Sequence, residues 1–188
     1  MTKTRAPRLV AILFSAAALA AAAPAGAVDF GFHGMDLHLA ASFPSDWDTG
    51  PTAGISFNVA ELVDGLYLYP GIFYSQAERT DSVPGAGEIS LEITTIAVGA
   101  EVRYFLDQEQ RGFYFGGGAY LNRQDLESVG RGAFGDVELL STDQTVAGGM
   151  GVAGYRIPLG ARTTASLEAR YNLVSDFAGP SVGLVLGF

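Results

Sequence analysis

Thr164-Ala165-Ser166-Leu167-Glu168-Ala169-Arg170-Tyr171-Asn172-Leu173 is the stretch that decides the fold. Ala165, Leu167, Ala169, Tyr171 and Leu173 share one parity, and Ser166, Glu168, Arg170 and Asn172 share the other. A strict period of two puts alternate side chains on opposite faces of a strand and does not fit a helix. The same rhythm runs from Ile96 to Tyr104, where Ile96, Val98, Ala100, Val102 and Tyr104 fall together, opposite Glu101 and Arg103. Just upstream, Ile89, Leu91 and Ile93 are apolar at odd positions. The phase therefore flips near Thr94-Thr95, which predicts a β-bulge there.

Working outward, eight such segments lie near residues 30–42, 52–61, 66–79, 89–105, 113–126, 143–157, 162–174 and 181–188. Connections rich in Gly, Pro, Asp and Ser (43–51, 80–88, 127–142 and 175–180) alternate with shorter turns at 62–65, 106–112 and 158–161. An even strand count with short turns at one end and longer loops at the other is an up-and-down barrel arrangement. No repeat beyond this rhythm and no linker interrupts it, so residues 28–188 read as one domain.

Composition narrows the function. Of 188 residues, 48% are hydrophobic and 16% charged, which argues against disorder. The absence of Cys excludes disulfides, thiolate metal sites and a thiol nucleophile. A formal charge of −9 argues against nucleic acid as a partner. Residues 1–27 combine Lys3, Arg5 and Arg8, an apolar run over 9–23, and Ala25-Gly26-Ala27. This is a signal-peptide pattern with cleavage expected after Ala27, and the run is short of the ~20 residues that cross a bilayer. The chain after Ala27 carries 20 acids against eight Arg and no Lys.

The C-terminal residues Ser181-Val182-Gly183-Leu184-Val185-Leu186-Gly187-Phe188 carry the most specific signal. Together with the eight segments and the leader, they make the chain resemble the small eight-stranded outer-membrane β-barrels of Gram-negative bacteria, the porin-like OmpA, OmpX and opacity-protein type. The resemblance implies an all-β, antiparallel, up-and-down transmembrane barrel in the outer membrane. It casts Ser181, Gly183, Leu186 and Phe188 as the assembly signal, with Leu186 aliphatic where that pattern often has an aromatic. It implies outer-membrane lipid and lipopolysaccharide as surroundings, the barrel assembly machinery during biogenesis, an extracellular partner through the loops, and no cofactor.

In such a barrel Val182, Leu184, Leu186 and Phe188 face outward and Ser181, Gly183, Val185 and Gly187 inward. An eight-stranded barrel is just wide enough for side chains to fill, so interior charges should be paired. The expected pairs are Glu101 with Arg103, Glu168 with Arg170, and Asp36 with His38, each at an i, i+2 spacing. Tyr67, Tyr69, Tyr114 and Tyr120 and the inward glycines should fill the rest. Tyr104, Phe113, Phe115 and Phe188 suit the aromatic girdles of such barrels, and Trp47 reads as an interface anchor ahead of an exposed contact residue. The loops carry Asp46, Asp48, Asp81, Glu88, Glu127, Asp136, Glu138 and Asp176, with Arg79, Arg123 and Arg131 placed to meet lipopolysaccharide phosphates.

Apparent catalytic motifs fail in context. Gly149-Met150-Gly151-Val152-Ala153-Gly154 fits a dinucleotide fingerprint, but Tyr155-Arg156-Ile157-Pro158 continues a strand where that motif needs a helix. Gly179-Pro180-Ser181-Val182-Gly183 fits a nucleophile elbow, yet no acid or His follows the Ser. His33 and His38 are expected on opposite faces of one strand, and the late-strand His-x-Ser pair of barrel deacylases is missing. The leading expectation is a non-enzymatic outer-membrane barrel with a surface-interaction or envelope-structural role. The rivals are a narrow porin-like channel for ions or small solutes, and a soluble lipid carrier.

Overall fold

Each strand pairs antiparallel with its neighbour in the chain, and the last returns to the first, closing the sheet into a barrel in the computed structural model. The structure describes residues 28–83, 87–107, 109–132, 135–174 and 177–188, with side chains described outside 82–87 and 130–140. The leader and its cleavage point, Asp176, and the side chains of Arg131, Asp136 and Glu138 lie outside the described residues. The strands are β1 (Asp29–Ser42), β2 (Gly50–Val63), β3 (Leu66–Val83), β4 (Gly87–Phe105), β5 (Gly112–Gly132), β6 (Gly135–Pro158), β7 (Thr164–Leu173) and β8 (Gly179–Gly187). The β1–β8 seam runs from Ser42 opposite Ser181 to Asp36 opposite Gly187. Met35 and Phe188 extend it with reciprocal backbone hydrogen bonds of 3.0 and 2.9 Å.

The period-two pattern sorts the side chains as its parity demands. Leu37, Leu39, Ile72, Ile96, Val98, Leu121, Ile157, Leu167, Leu173, Val182, Leu184 and Leu186 all stand exposed on the outer surface. A soluble protein rarely leaves a continuous apolar surface of this extent uncovered. Toward one rim the belt becomes aromatic, where Tyr104 packs on Phe115 at 5.6 Å and Phe113 on Tyr155 at 4.7 Å. Phe188 is exposed beside that rim and Val185 is buried, as the alternation of the last strand requires.

Two of the expected loops are instead strand. β3 and β4 pair continuously to Val83 opposite Gly87, and β5 and β6 pair to Gly132 opposite Gly135 with one register shift, between Ser128 and Val129. Residues 80–88 and 127–142, read as loops, thus belong largely to a four-stranded arm that rises beyond the other half of the barrel. Glu88, Glu127, Ser141 and Thr142 of this arm are polar and exposed, so the sequence there lacks the alternation of the belt while the backbone keeps its ladder.

The predicted bulge at Thr94-Thr95 is absent, because the β3–β4 and β4–β5 registers run unbroken through it. Ile93 and Thr95 are both buried on the side of Glu101 and Arg103. The environment changes with height, so the apolar residues move from the outer face to the inner one and the backbone stays in phase. The β2–β3 register does shift, between Ser56 and Ala60 on β2, opposite the stretch that contains Pro70. Proline has no N–H to give the ladder, so pairing skips there.

Inward glycines make room for rings. A Cβ on Gly154 would lie 2.5 Å from the Tyr114 phenol, and one on Gly99 would lie 2.8 Å from Cδ1 of Tyr120. Gly154→Ala should therefore push Tyr114 off its site and cost about 1–3 kcal/mol, as overpacking of a dense interior does. Urea midpoints of folded protein in detergent measure this, and an unchanged midpoint would show that the ring has slack.

Candidate functional site

The barrel interior concentrates the chain's charged chemistry. Parity alone turns Asp36 and His38 of β1, Ser56 of β2, Glu101 and Arg103 of β4, Arg156 of β6, and Glu168 and Arg170 of β7 inward, and all are buried. Arg103, 0% exposed, lies at the centre. Its Nε donates to Glu101 Oε1 at 2.6 Å, Nη1 to Asp36 Oδ2 at 2.7 Å and Nη2 to Ser56 Oγ at 3.3 Å. The guanidinium also lies 4.1 Å from the centre of the Tyr69 ring. Arg170 donates through Nε to Glu168 and through Nη1 to Glu101 Oε2 at 3.0 Å, with its plane 4.5 Å above Phe73. Tyr114 and Tyr120 donate their hydroxyls to Glu168 and Glu101 at 2.6 and 3.1 Å.

Two of the three expected pairs are therefore in contact, Glu101 with Arg103 and Glu168 with Arg170. Asp36 and His38 do not pair with each other. Asp36 is too short to reach along its own strand and takes Arg103 and Arg156, the latter at 2.6 Å. His38 instead places Nε2 2.9 Å from Ser56 Oγ and Nδ1 3.3 Å from both Glu168 Oε1 and Arg170 Nη2. Arg156 is the member that sequence reading missed. Its parity matches buried Val152 and inward Gly154, and that was the available signal. With it, three carboxylates meet three guanidiniums, a balanced set that keeps no bare charge in the interior.

Ser56, His38 and Glu168 stand in the order of a hydrolase relay. Ser56 is 0% exposed, and its oxygen is already engaged by both His38 and Arg103. Ser56 does not line the cavities of about 220, 40 and 10 Å³ in the barrel.

These cavities divide the interior unequally. At the short-turn end a polar vestibule of about 220 Å³ is bordered by His33, Asp36, Asn58, Tyr69, Arg156 and Arg162. The β4–β5 turn closes part of it, with Gln110 Oε1 accepting from Tyr69 at 3.1 Å and Asn58 at 3.2 Å. Above the ion pairs, the edge-to-face rings of Phe73 and Tyr120 and the side chain of Met150 form an apolar layer. Against this layer, among the described residues, lie spaces of about 40 and 10 Å³. The long-loop end is capped by Ala77, Ile93 and Phe177, with Trp47 and Leu126 packed against them. Trp47 thus folds over the mouth and packs on interior residues; it is not a lipid-facing anchor. It sits in a loop whose Asp48 N–H reaches Glu78 O of β3, which draws the indole inward.

No family model and no curated protein matches the sequence. Among solved structures, the chain is similar to the attachment invasion locus protein Ail of Yersinia pestis, in complex with the heparin analogue sucrose octasulfate (TM-score 0.47, 12% identity, 82% of this chain and 97% of that one). It is also similar to the N-terminal β-barrel domain of Pseudomonas aeruginosa OprF (0.47, 13%, 84% and 98%) and to Neisserial surface protein A (0.42, 15%, 82% and 92%). All three are small outer-membrane β-barrels. The arrangement of charges described above belongs to this chain.

Of the basic residues expected at the loop rim, Arg79 and Arg123 are already matched. Arg79 binds Asp81 through Nε and Nη2 at 3.2 and 3.1 Å, and Arg123 lies 3.5 Å from Asp125 and 3.8 Å from Asp143. These pairs are exposed and worth little on their own.

Proposed function

We propose that the chain, after removal of residues 1–27, is a non-enzymatic outer-membrane barrel of a Gram-negative bacterium with a surface-interaction or envelope-structural role. The observation that carries this reading is the combination of an apolar outer belt with a filled interior. The belt calls for lipid, and the interior leaves the loops and the four-stranded arm as the parts free to meet other molecules. The short-turn end then faces the periplasm, and the loop end faces lipopolysaccharide and the exterior. Ser181, Gly183, Leu186 and Phe188 supply the signal read by the barrel assembly machinery in this scheme.

Fractionation tests the placement. The protein should sediment with outer membranes and migrate differently before and after heating, because detergent coats the folded belt. Recovery as a soluble monomer from a detergent-free periplasmic extract would refute it.

The vestibule favours one rival, a narrow channel, since water entering from the periplasmic side has covered part of the path. Beyond it, passage requires parting Arg103 from Asp36 and Glu101 and then displacing the apolar cap. Purified protein in planar bilayers should accordingly show no steady conductance. Reproducible single-channel steps that vanish on boiling would put the channel reading first.

A further inference from the structure

Asn58 on β2 borders the polar vestibule at the short-turn end and is 3% exposed, so its carboxamide must find partners inside the protein. Its Nδ2 donates to the Tyr69 hydroxyl at 3.3 Å and to Gln110 Oε1 at 3.2 Å. Its Oδ1 is shut off from solvent and has no hydrogen-bond partner among the described residues. A buried acceptor left bare costs free energy that a ligand N–H would recover. The Tyr69 hydroxyl donates to the same Gln110 oxygen at 3.1 Å, so two donors already converge on one amide carbonyl.

Gln110 enters this site from the β4–β5 turn, where its backbone is left-handed at φ 55°. That region is unfavourable for a residue with a Cβ, and the side-chain bonds offset the cost. Two carboxamides can pair reciprocally, each giving one N–H and accepting one. Gln110, tethered to the turn, makes one half of that pair and leaves Asn58 Oδ1 empty. A free carboxamide has no such tether and can make both halves. The mouth of the vestibule adds opposite charges: Glu109, paired with Arg111 at 2.7 Å, and Arg162, which makes no ion pair among the described residues. The space of about 220 Å³ holds about seven waters at ~30 Å³ each, or one ligand of about ten non-hydrogen atoms.

We propose that the vestibule binds a small zwitterion carrying a primary carboxamide, with free glutamine as the size-matched example, and that this ligand displaces Gln110 from Asn58 and Tyr69. The ligand amide takes both halves of the Asn58 pair, and its carbonyl also accepts from Tyr69. Its α-carboxylate and ammonium meet Arg162 and Glu109 at the mouth. Gln110 is then a built-in stand-in that keeps the site closed until the ligand arrives. Supply from the periplasm rests on the orientation proposed above, whereas binding itself does not depend on it.

The test titrates L-glutamine, L-glutamate and L-norleucine into the full-length folded protein in detergent micelles, with the side-chain amide of Gln110 followed by NMR. A ligand this small should bind at roughly millimolar concentration and shift the Gln110 amide resonances. L-Glutamate has nearly the same shape but no N–H for Asn58 Oδ1, and should bind about tenfold more weakly. L-Norleucine has neither amide atom and should not bind. Gln110→Gly removes the stand-in, suits the left-handed backbone and should tighten L-glutamine binding, while Asn58→Leu should abolish it. If Asn58→Leu fails to fold, as judged by heat-sensitive gel mobility, the comparison of L-glutamine with L-glutamate on the unaltered protein still decides. Equal binding of those two would mean attraction by the charges at the mouth alone and overturns the proposal, as does no binding of L-glutamine. Binding confined to Gln110→Gly would make Gln110 a permanent plug and overturns it too. Binding in micelles by a protein that fails to fractionate with outer membranes supports the site and refutes only its placement.

Discussion

Arg103→Ala is expected to destabilise the folded barrel by about 3–5 kcal/mol, the cost of breaking a buried ion pair from one side. Arg103 is the one residue that touches Glu101, Asp36 and Ser56 together, and it lies over Tyr69. Its loss leaves Glu101 and Asp36 each short of a partner, although Arg156 and Arg170 retain one bond set each. Arg170→Ala should follow the same direction through Glu168 and Glu101. A second variant separates charge from packing: Arg103→Met with Glu101→Gln and Asp36→Asn removes the orphaned charges and should recover much of the loss. Urea titration in detergent, read by heat-sensitive gel mobility, gives the numbers. A change under about 1 kcal/mol for Arg103→Ala would show that the pairs are hydrated.

Phe188→Ala should sharply lower the amount of assembled barrel, while Val185→Ala leaves it nearly unchanged. The two residues sit three apart on β8 and its end, yet one ring faces outward and the other side chain fills the interior. Phe188 also closes the seam with Met35 through backbone bonds that alanine retains. A defect specific to Phe188 therefore reports recognition of the ring during assembly, whereas a defect in refolding from urea would report the seam. Pulse-labelling with membrane fractionation distinguishes the variants, and equal levels for both would end the assembly-signal reading.

How far the sequence spoke depended on what surrounded each segment. Inside the belt, lipid-facing and inward residues differ in chemistry, so the parity of Ala165 to Leu173 or of Val182 to Phe188 could be read directly. Above it, Glu127, Ser141 and Thr142 are exposed and Ser128 is buried but polar, so no apolar alternation marks the pairing of β5 with β6. Ile93 misled for a different reason: it faces inward into the plug of Ala77, Phe177, Trp47 and Leu126 at the loop end, a tertiary fact. Among the charges, Glu101 with Arg103 and Glu168 with Arg170 were legible because they share a strand and Arg is long. The partners of Asp36 lie 67 and 120 residues away, at separations that local spacing does not address.

Those separations have a consequence for how the molecule comes together. Asp36 belongs to the first strand, Arg103 to the fourth and Arg156 to the sixth, so the three meet only after the sheet has curled through most of a circle. A half-curled sheet gains hairpin pairing but leaves these groups without one another. The reward arrives late and at once, which ties β1, β4, β6 and β7 into a single cooperative step. Opening must reverse that step, so the closed form should part reluctantly and as a whole, with few intermediates populated along the way.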